Sequence, residues 1–351
     1  MKTIKGPAIF LAQFMDENPP FNTLDNLCRW ASDLGYKGIQ IPSNETRLMD
    51  LQKCAESQTY ADELKGKVNS YGLEITELST HIQGQLVAVH PAHDLMFDVF
   101  APDEVKGKPK ARTDWAIQQL KYAAKASERL GLKAHATFSG SLLWPVMHPW
   151  PQQPKGLIDL GFKELADRWR PILNAFEDSG VDVCYEVHPV EDIHDGDTFE
   201  RFLKATGNHK RVNILYDPSH FVLQQLDYIK YIDHYHEFIK AFHVKDSEFR
   251  PNGKKGTFGG YNDWKDRAGR YRSPGDGQVD FKRVFSKLTE YGCDVWAVLE
   301  WECVIKSPEQ GAREGVPFIQ NHIIEATDKA FDDFAGGGDT DENYLRKILG
   351  I

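Results

Sequence analysis

Short apolar runs alternate along this chain with longer stretches in which apolar residues recur every three or four positions. Residues 8–14 read as a first strand. Residues 23–34 follow as an amphipathic helix, with Leu24, Leu27, Trp30, Ala31 and Leu34 at helical spacing. Residues 38–42 form a second strand and 55–71 a helix; 74–80 form a third strand and 112–130 a helix; 133–138 form a fourth strand and 160–179 a helix. Four more strand-like runs follow, at 183–186, 212–217, 239–243 and 295–300. Helices are expected at 198–205, 220–236, 280–291 and 309–334, and a short one at 343–349 after the linker-like Gly336-Gly337-Gly338.

Strands that alternate with helices in this way predict a parallel sheet. Eight such units in 351 residues fit a single (β/α)8 TIM barrel over residues 1–335, with a short tail at 336–351. The competitor is a doubly wound open sheet. It lacks a GxGxxG turn after the first strand, and it would spread the ends of four consecutive strands along a line instead of around a common mouth. Three connections are long: 81–111, 139–156 (with Trp144, His148, Trp150 and four prolines) and 247–279. Each follows a strand, so each lies on the carboxyl-end rim, where barrel active sites form and long loops act as walls or lids. A subunit contact is compatible with the same loops.

The last four strands matter most, because each stops at a metal-type ligand: Glu186, Asp217, His243 and Glu300. Two Glu, one Asp and one His form a hard, oxygen-rich set. It suits one divalent ion, manganese first, with cobalt, magnesium or zinc as alternatives. Alternation along a strand places His188 beside Glu186, Lys245 beside His243 and Glu302 beside Glu300. Pro218 ends its strand, and the following turn brings His220 back over the site. A single Glu at a strand end, or an Asp before Pro-Ser, is ordinarily a solvated end or a helix cap. Four ligand types on four consecutive strands change that balance.

Composition narrows the partners. Net charge is −10, from 42 basic and 52 acidic residues, which argues against a phosphate-binding surface and hence against nucleic acid. Five cysteines with no CxxC pair read as reduced thiols. The apolar run at 7–12 is too short for a signal-peptide core, and no segment approaches a membrane span. The expectation is a cytoplasmic protein with no membrane partner.

The series Glu186, Asp217-Pro218-Ser219-His220, His243-Val244-Lys245-Asp246 and Glu300, with Pro274-Gly-Asp-Gly-Gln-Val-Asp-Phe281 before a helix, resembles the xylose-isomerase-like barrel superfamily. That group includes sugar isomerases, ketose 3-epimerases, inosose dehydratases, hydroxypyruvate isomerases and endonuclease IV. The resemblance runs over residues 8–334. It implies a metal held by Glu186, Asp217, His243 and Glu300, with His220 and Arg250 on the substrate side. We count Lys245, His81 and Trp144 there too. Trp144, Trp150, Tyr261, Trp264 and Tyr271 would offer flat apolar walls. Glu186-Val187-His188 is similar to the large subunits of C-glycoside deglycosidases and related 3-keto-glycoside lyases, in which the corresponding histidine takes the proton from sugar C2. In the epimerases the two metal-bound glutamates, here Glu186 and Glu300, transfer the protons.

Both assignments share one reaction core. A divalent ion polarises a sugar carbonyl and its neighbouring hydroxyl, a base removes the adjacent proton, and an enediolate forms. Reprotonation elsewhere makes an isomerase or epimerase of carbohydrate metabolism. Loss of a β-leaving group makes a lyase on a 3-keto-glycoside. An AP endonuclease is the less favoured reading, since it needs a three-zinc cluster, which His81 and His135 would have to extend, and a basic groove. No Gly-rich phosphate turn is present, so an unphosphorylated small sugar is the expected substrate. A homo-oligomer is expected, and the deglycosidase resemblance implies a small partner subunit.

Overall fold

The computed structural model describes residues 4–327 and 341–351. Eight parallel strands close into a barrel: β1 (Lys5–Phe10), β2 (Gly38–Pro42), β3 (Glu74–Ser79), β4 (Ala134–Thr137), β5 (Asp182–Glu186), β6 (Val212–Tyr216), β7 (Ile239–Val244) and β10 (Trp296–Leu299), which returns to β1. The expected single (β/α)8 barrel is therefore present. Between β7 and β10 lies an antiparallel hairpin, β8 (Asp246–Phe249) and β9 (Gly269–Arg272). The expected boundary at 335/336, positions 328–334 and Gly336-Gly337-Gly338 lie outside the described residues, but the helix expected over 309–334 is observed at Pro308–His322 and ends where Ile323 turns extended.

Both faces of these strands are covered, so they read as nearly continuous apolar runs; every residue of β2 and β6 is buried. The outer face packs against the helices in one large core that includes Leu27, Ile39, Leu120, Trp169, Phe202, Phe242 and Phe285. The apolar side chains of the barrel interior form two clusters: Ala134, Ala136, Cys184, Leu215 and Ala241 on one side, Ala8, Phe10 and Val298 on the other. Registers Glu186↔Leu215 and Val298↔His243 align the carboxyl ends of β5, β6, β7 and β10 as neighbours around the mouth.

Several helices differ from expectation at their ends, for local reasons. The expected first helix is observed at Leu24–Leu34, where Thr23 accepts from Asn26 N at its start and Gly35, at φ +101, closes its end. The stretch 55–71 is instead Leu51–Glu56 followed by Gln58–Ser70, because Ser57 stops the first helix and caps the second through Tyr60 N. The stretch 220–236 divides into Pro218–Gln224 and Tyr228–Tyr235; Gln225 turns left-handed and Asp227 caps the second piece. The strand expected to reach Phe14 ends at Phe10, and a 3-10 turn, Ala12–Phe14, follows. Among the described residues, no helix is long and apolar enough to cross a membrane.

The long rim connections have anchored bases. After β3, buried Arg112 donates to Asp98 Oδ1 at 2.6 Å and also meets Asp94, tying the loop to the next long helix, Pro109–Leu130. After β4, Gly140 N donates to Glu191 at 2.6 Å, and Leu142 N and Leu143 N donate to Asp192 at 2.8 and 2.7 Å. After β7, the Asp246 carboxylate accepts from Ser247 N, Gly275 N, Gly277 N and Val279 N at 2.8–3.1 Å. A Cβ on Gly277 would stand 2.2 Å from Asp246 Oδ1, which is why the turn needs glycine there.

Replacing Asp246 by Ala strips one acceptor from several backbone donors, and an unmet buried donor costs about 1–3 kcal/mol. Urea unfolding should therefore give a lower midpoint for Asp246→Ala than for Asp246→Asn, which keeps one acceptor oxygen. Equal midpoints would show that the turn does not depend on this carboxylate.

Candidate active site

Glu186, at the end of β5, and His243, on β7, project from barrel strands; Asp217 and Glu300 each follow one immediately, after β6 and β10. All four side chains are buried, and one ligand atom from each lies within 4.8 Å of the others. Among the described residues this is the one such grouping of acids and imidazoles. Asp217 also caps the helix Pro218–Gln224 through Ser219 N at 2.8 Å, so the bland and functional readings of this Asp hold together.

Cationic side chains crowd the acids. Lys245 Nζ lies 2.9 Å from Glu300 Oε2, 3.1 Å from Asp217 Oδ2, 3.4 Å from Glu302 Oε2 and 3.7 Å from Glu186 Oε1. His220 Nε2 is 2.8 Å from Glu186 Oε1 and 3.2 Å from Asp217 Oδ2. His81 Nε2 is 2.9 Å from Glu186 Oε2, and its Nδ1 meets Ser79 Oγ at 2.5 Å. Burial opposes ionisation of Glu186, but Lys245, His220 and His81 outweigh it and hold this carboxyl well below the usual range. The same contest, with Lys245 the largest opposing influence, lowers Glu300. Burial and Lys245 act against charge on His220, yet Asp217 and Glu186 raise it to about 9. The site is thus a compact set of paired charges in a dry setting.

His188 stands beside this set. Its ring centroid is 4.1 Å from that of His220 and 4.8 Å from that of Phe138, and its Nδ1 faces the Pro189 carbonyl. Burial, followed by the charge on His220, pushes its pKa well below the ordinary histidine value, so the ring is neutral. The turn that holds it is strained: Val190 has φ +83, a region that β-branched residues avoid. Ser141 Oγ donates to the Val190 carbonyl at 2.7 Å, so the loop after β4 braces the turn after β5.

The structure brings His220, Lys245 and His81 to the cluster. Arg250 is not brought there: it sits half-exposed on the hairpin, 3.6 Å from Glu248, which also binds Arg270 and Arg272. Trp144 packs its ring against His194 at 5.4 Å, away from the four ligands' own contacts. His135 meets Thr80 and Ser127 at 2.7 and 3.2 Å inside the fold and does not extend the metal group. Tyr271, expected as a flat wall, does more: its hydroxyl is 3.1 Å from His220 Nδ1, and Lys245 lies over its ring at 5.1 Å. Two residues were not anticipated. Gln13 Nε2 donates to Glu300 Oε1 at 3.0 Å, and Gln40 Oε1 is 2.8 Å from His243 Nε2. Gln40 left a trace in the sequence, as the polar residue inside the apolar run Gly38–Pro42. Gln13 lies in a 3-10 turn and left none.

The donor set fits a divalent cation. Glu186 Oε2 and Asp217 Oδ2 are buried and, although close to cations, find no donor in hydrogen-bond geometry among the described residues. With Nε2 of His243 facing a carboxamide oxygen, Nδ1 is the nitrogen turned toward Glu300 and the cluster. Buried carboxylate lone pairs beside an oriented imidazole are what manganese, magnesium or cobalt sites use.

Comparison with known proteins agrees with this picture. A family model described as a xylose isomerase-like TIM barrel matches residues 28–322. An inosose dehydratase from Geobacillus thermodenitrificans (strain NG80-2) is 29% identical over 125 residues, 36% of this chain and 42% of that protein. The match therefore spans less than half of that curated relative. A 3-keto-D-glucoside 4-epimerase from E. coli superposes with a TM-score of 0.61 at 15% identity, covering 90% of this chain and 98% of that one. A xylose isomerase-like TIM barrel protein from Mycobacterium smegmatis, solved in complex with magnesium, has a TM-score of 0.61 at 14% identity, covering 92% and 96%. At these identities the structural likenesses establish the fold. The relatives are sugar-modifying enzymes of epimerase and dehydratase type.

Adding MnCl2 to chelator-treated protein should raise its melting temperature, and EDTA should reverse the shift. An ion at about 100 times its Kd contributes about 2.7 kcal/mol. Asp217→Ala should abolish the shift; a wild-type melt indifferent to every divalent ion would contradict the fit.

Proposed function

The chain belongs to the xylose isomerase-like TIM barrel family, and from that premise we propose that it is a divalent-metal-dependent enzyme of sugar isomerase or epimerase type, removing the proton next to a sugar carbonyl. The observation that carries this reading is the group Glu186, Asp217, His243 and Glu300, with ligand atoms within 4.8 Å at the barrel mouth. These four would hold the ion, which when bound supplies a Lewis acid for the carbonyl and a neighbouring hydroxyl. Magnesium in a neighbour of the same fold supports a divalent ion, and manganese remains our first choice.

The chain's own residues then divide the work. Glu186 and Glu300 are the proton-transferring carboxylates of the epimerase reading. His81, His220 and Lys245 keep Glu186 ionised, and Gln13 and Lys245 hold Glu300. As the proton leaves, negative charge grows on the sugar oxygens. Lys245 and His220 are fixed beside that position and stabilise it without reorganising. Phe10, Phe138 and Tyr271 line the surrounding wall and exclude water.

A second reading has its own support. His188 is neutral, its Nδ1–H is turned to the Pro189 carbonyl, and its Nε2 is therefore left as the basic nitrogen. A base at that place serves a lyase, in which the enediolate expels a β-leaving group from a 3-keto-glycoside or loses water. The dehydratase relative supports a β-elimination of this kind. Nucleic acid is disfavoured by the −10 charge and by His135 being committed elsewhere. We take the substrate to be a small unphosphorylated sugar and the setting to be cytoplasmic.

The shared step is read by solvent exchange. Manganese-loaded enzyme in D2O should wash out the proton next to the carbonyl of a ketohexose or a 3-keto-glucoside, followed by NMR. No exchange with any such sugar would overturn the proposal. Release of aglycone with an unsaturated keto sugar would select the lyase. In that case His188→Gln should slow turnover by about 10²- to 10⁴-fold, whereas the epimerase should keep most of its rate and lose it on Glu300→Gln.

A further inference from the structure

Gln40 has no part in the reaction described above, yet its position is specific. It lies within β2, is fully buried, and presents Oε1 to His243 Nε2 at 2.8 Å. A carboxamide oxygen only accepts, so this contact requires the proton of His243 to sit on Nε2. Nδ1 is then the nitrogen turned toward Glu300 Oε2 at 2.8 Å, the side on which the four ligand atoms gather, and it offers its lone pair to a cation once the proton it donates to that carboxylate has left. A neutral histidine reaching a cation with the wrong nitrogen protonated cannot bind it. The second hydrogen bond therefore decides whether His243 is a ligand.

The strand is adapted to hold the amide in place. Pairing between β2 and β3 runs Gly38↔Glu74 and Ile39↔Ile75, then Ile41↔Leu78 and Pro42↔Ser79. One residue of β2, Gln40, thus faces two of β3, Thr76 and Glu77. Such a bulge re-aims side chains beside active sites. Glu77 is buried, and among the described residues neither its Oε2 nor Gln40 Nε2 has a hydrogen-bond partner. An acceptor and a donor, both unpaired, thus stand on strands that oppose each other at the bulge.

We propose that Gln40 is a positioning residue of the metal centre, fixing the tautomer and direction of His243, with the β2–β3 bulge as its mount. The inference rests on the metal reading of the previous section. Titration calorimetry with MnCl2 on chelator-treated protein tests it. Gln40→Leu, close in volume but unable to accept, should weaken Mn2+ binding by about 10- to 100-fold, as loss of an outer partner of a ligating histidine does. The melting temperature without metal should stay close to that of wild type. Gln40→Glu, which accepts at the same place, should retain wild-type affinity. Wild-type affinity in Gln40→Leu overturns the proposal. So does an equal loss in Gln40→Glu, and that variant carries the test where Gln40→Leu does not fold. Failure of the wild-type protein itself to bind Mn2+ is a separate result: it removes the metal reading on which this one rests.

Discussion

Three carboxylates meet at the top of a closed barrel, almost out of reach of water. Ionised acids in such a place are strongly unfavourable unless their charge is matched at short range. Lys245 and His220 supply that match: the lysine within 3.1 Å of two of the acids, and the histidine between Glu186 and Asp217. Much of the surrounding architecture serves this balance. β5, β6, β7 and β10 must be neighbours for the acids to meet, and Lys245, just past the end of β7, must stand two residues after His243 so that both face inward. The small side chains of the interior, such as Ala136 and Ala241, leave room for the long ones above them.

The loops add a second tier of constraint. Each long rim connection is fixed at its base by a buried ionisable side chain: Arg112 for the loop after β3, Glu191 and Asp192 for the loop after β4, and Asp246 for the loop after β7. Stiff bases explain how loop residues reach the chemistry with definite geometry. Tyr271 is delivered to His220 by an antiparallel hairpin whose register sets it opposite Ser247. His188 is delivered by a turn that tolerates a left-handed valine because a neighbouring loop braces it.

Much of this was legible in the sequence. The barrel strands were readable because both of their faces are covered and the apolar runs are nearly continuous. The four ligands were readable because each ends such a run. Helix limits were less so: a polar residue such as Ser57 interrupts a helix by capping the next one, and Gln225 adopts a left-handed conformation with no glycine to announce it. The hairpin was hidden because Asp246–Phe249 and Gly269–Arg272 alternate charged, polar and aromatic residues, and find each other across a long excursion. The family resemblance implied Arg250, seven residues after His243, as a substrate-side group. Spacing does not set direction on a hairpin, and Glu248 gathers that arginine with two others. Gln40 stood out only as a polar residue where an apolar one was due.

The Asp246 anchor bears on how such a chain can change in length. His243, Lys245 and Asp246 lie within four consecutive positions that combine a ligand, a counter-ion and the fastening of the turn at 275–279. A single inserted residue there would turn the positions beyond it to the opposite face and part the ligand from its counter-ion or from the anchor. The excursion from 250 to 268 faces no such restriction, since its two ends are paired to each other across the hairpin. Insertions and deletions that vary what the mouth accepts therefore have a natural place at the hairpin tip, while the reading frame of the strand beneath stays closed to them.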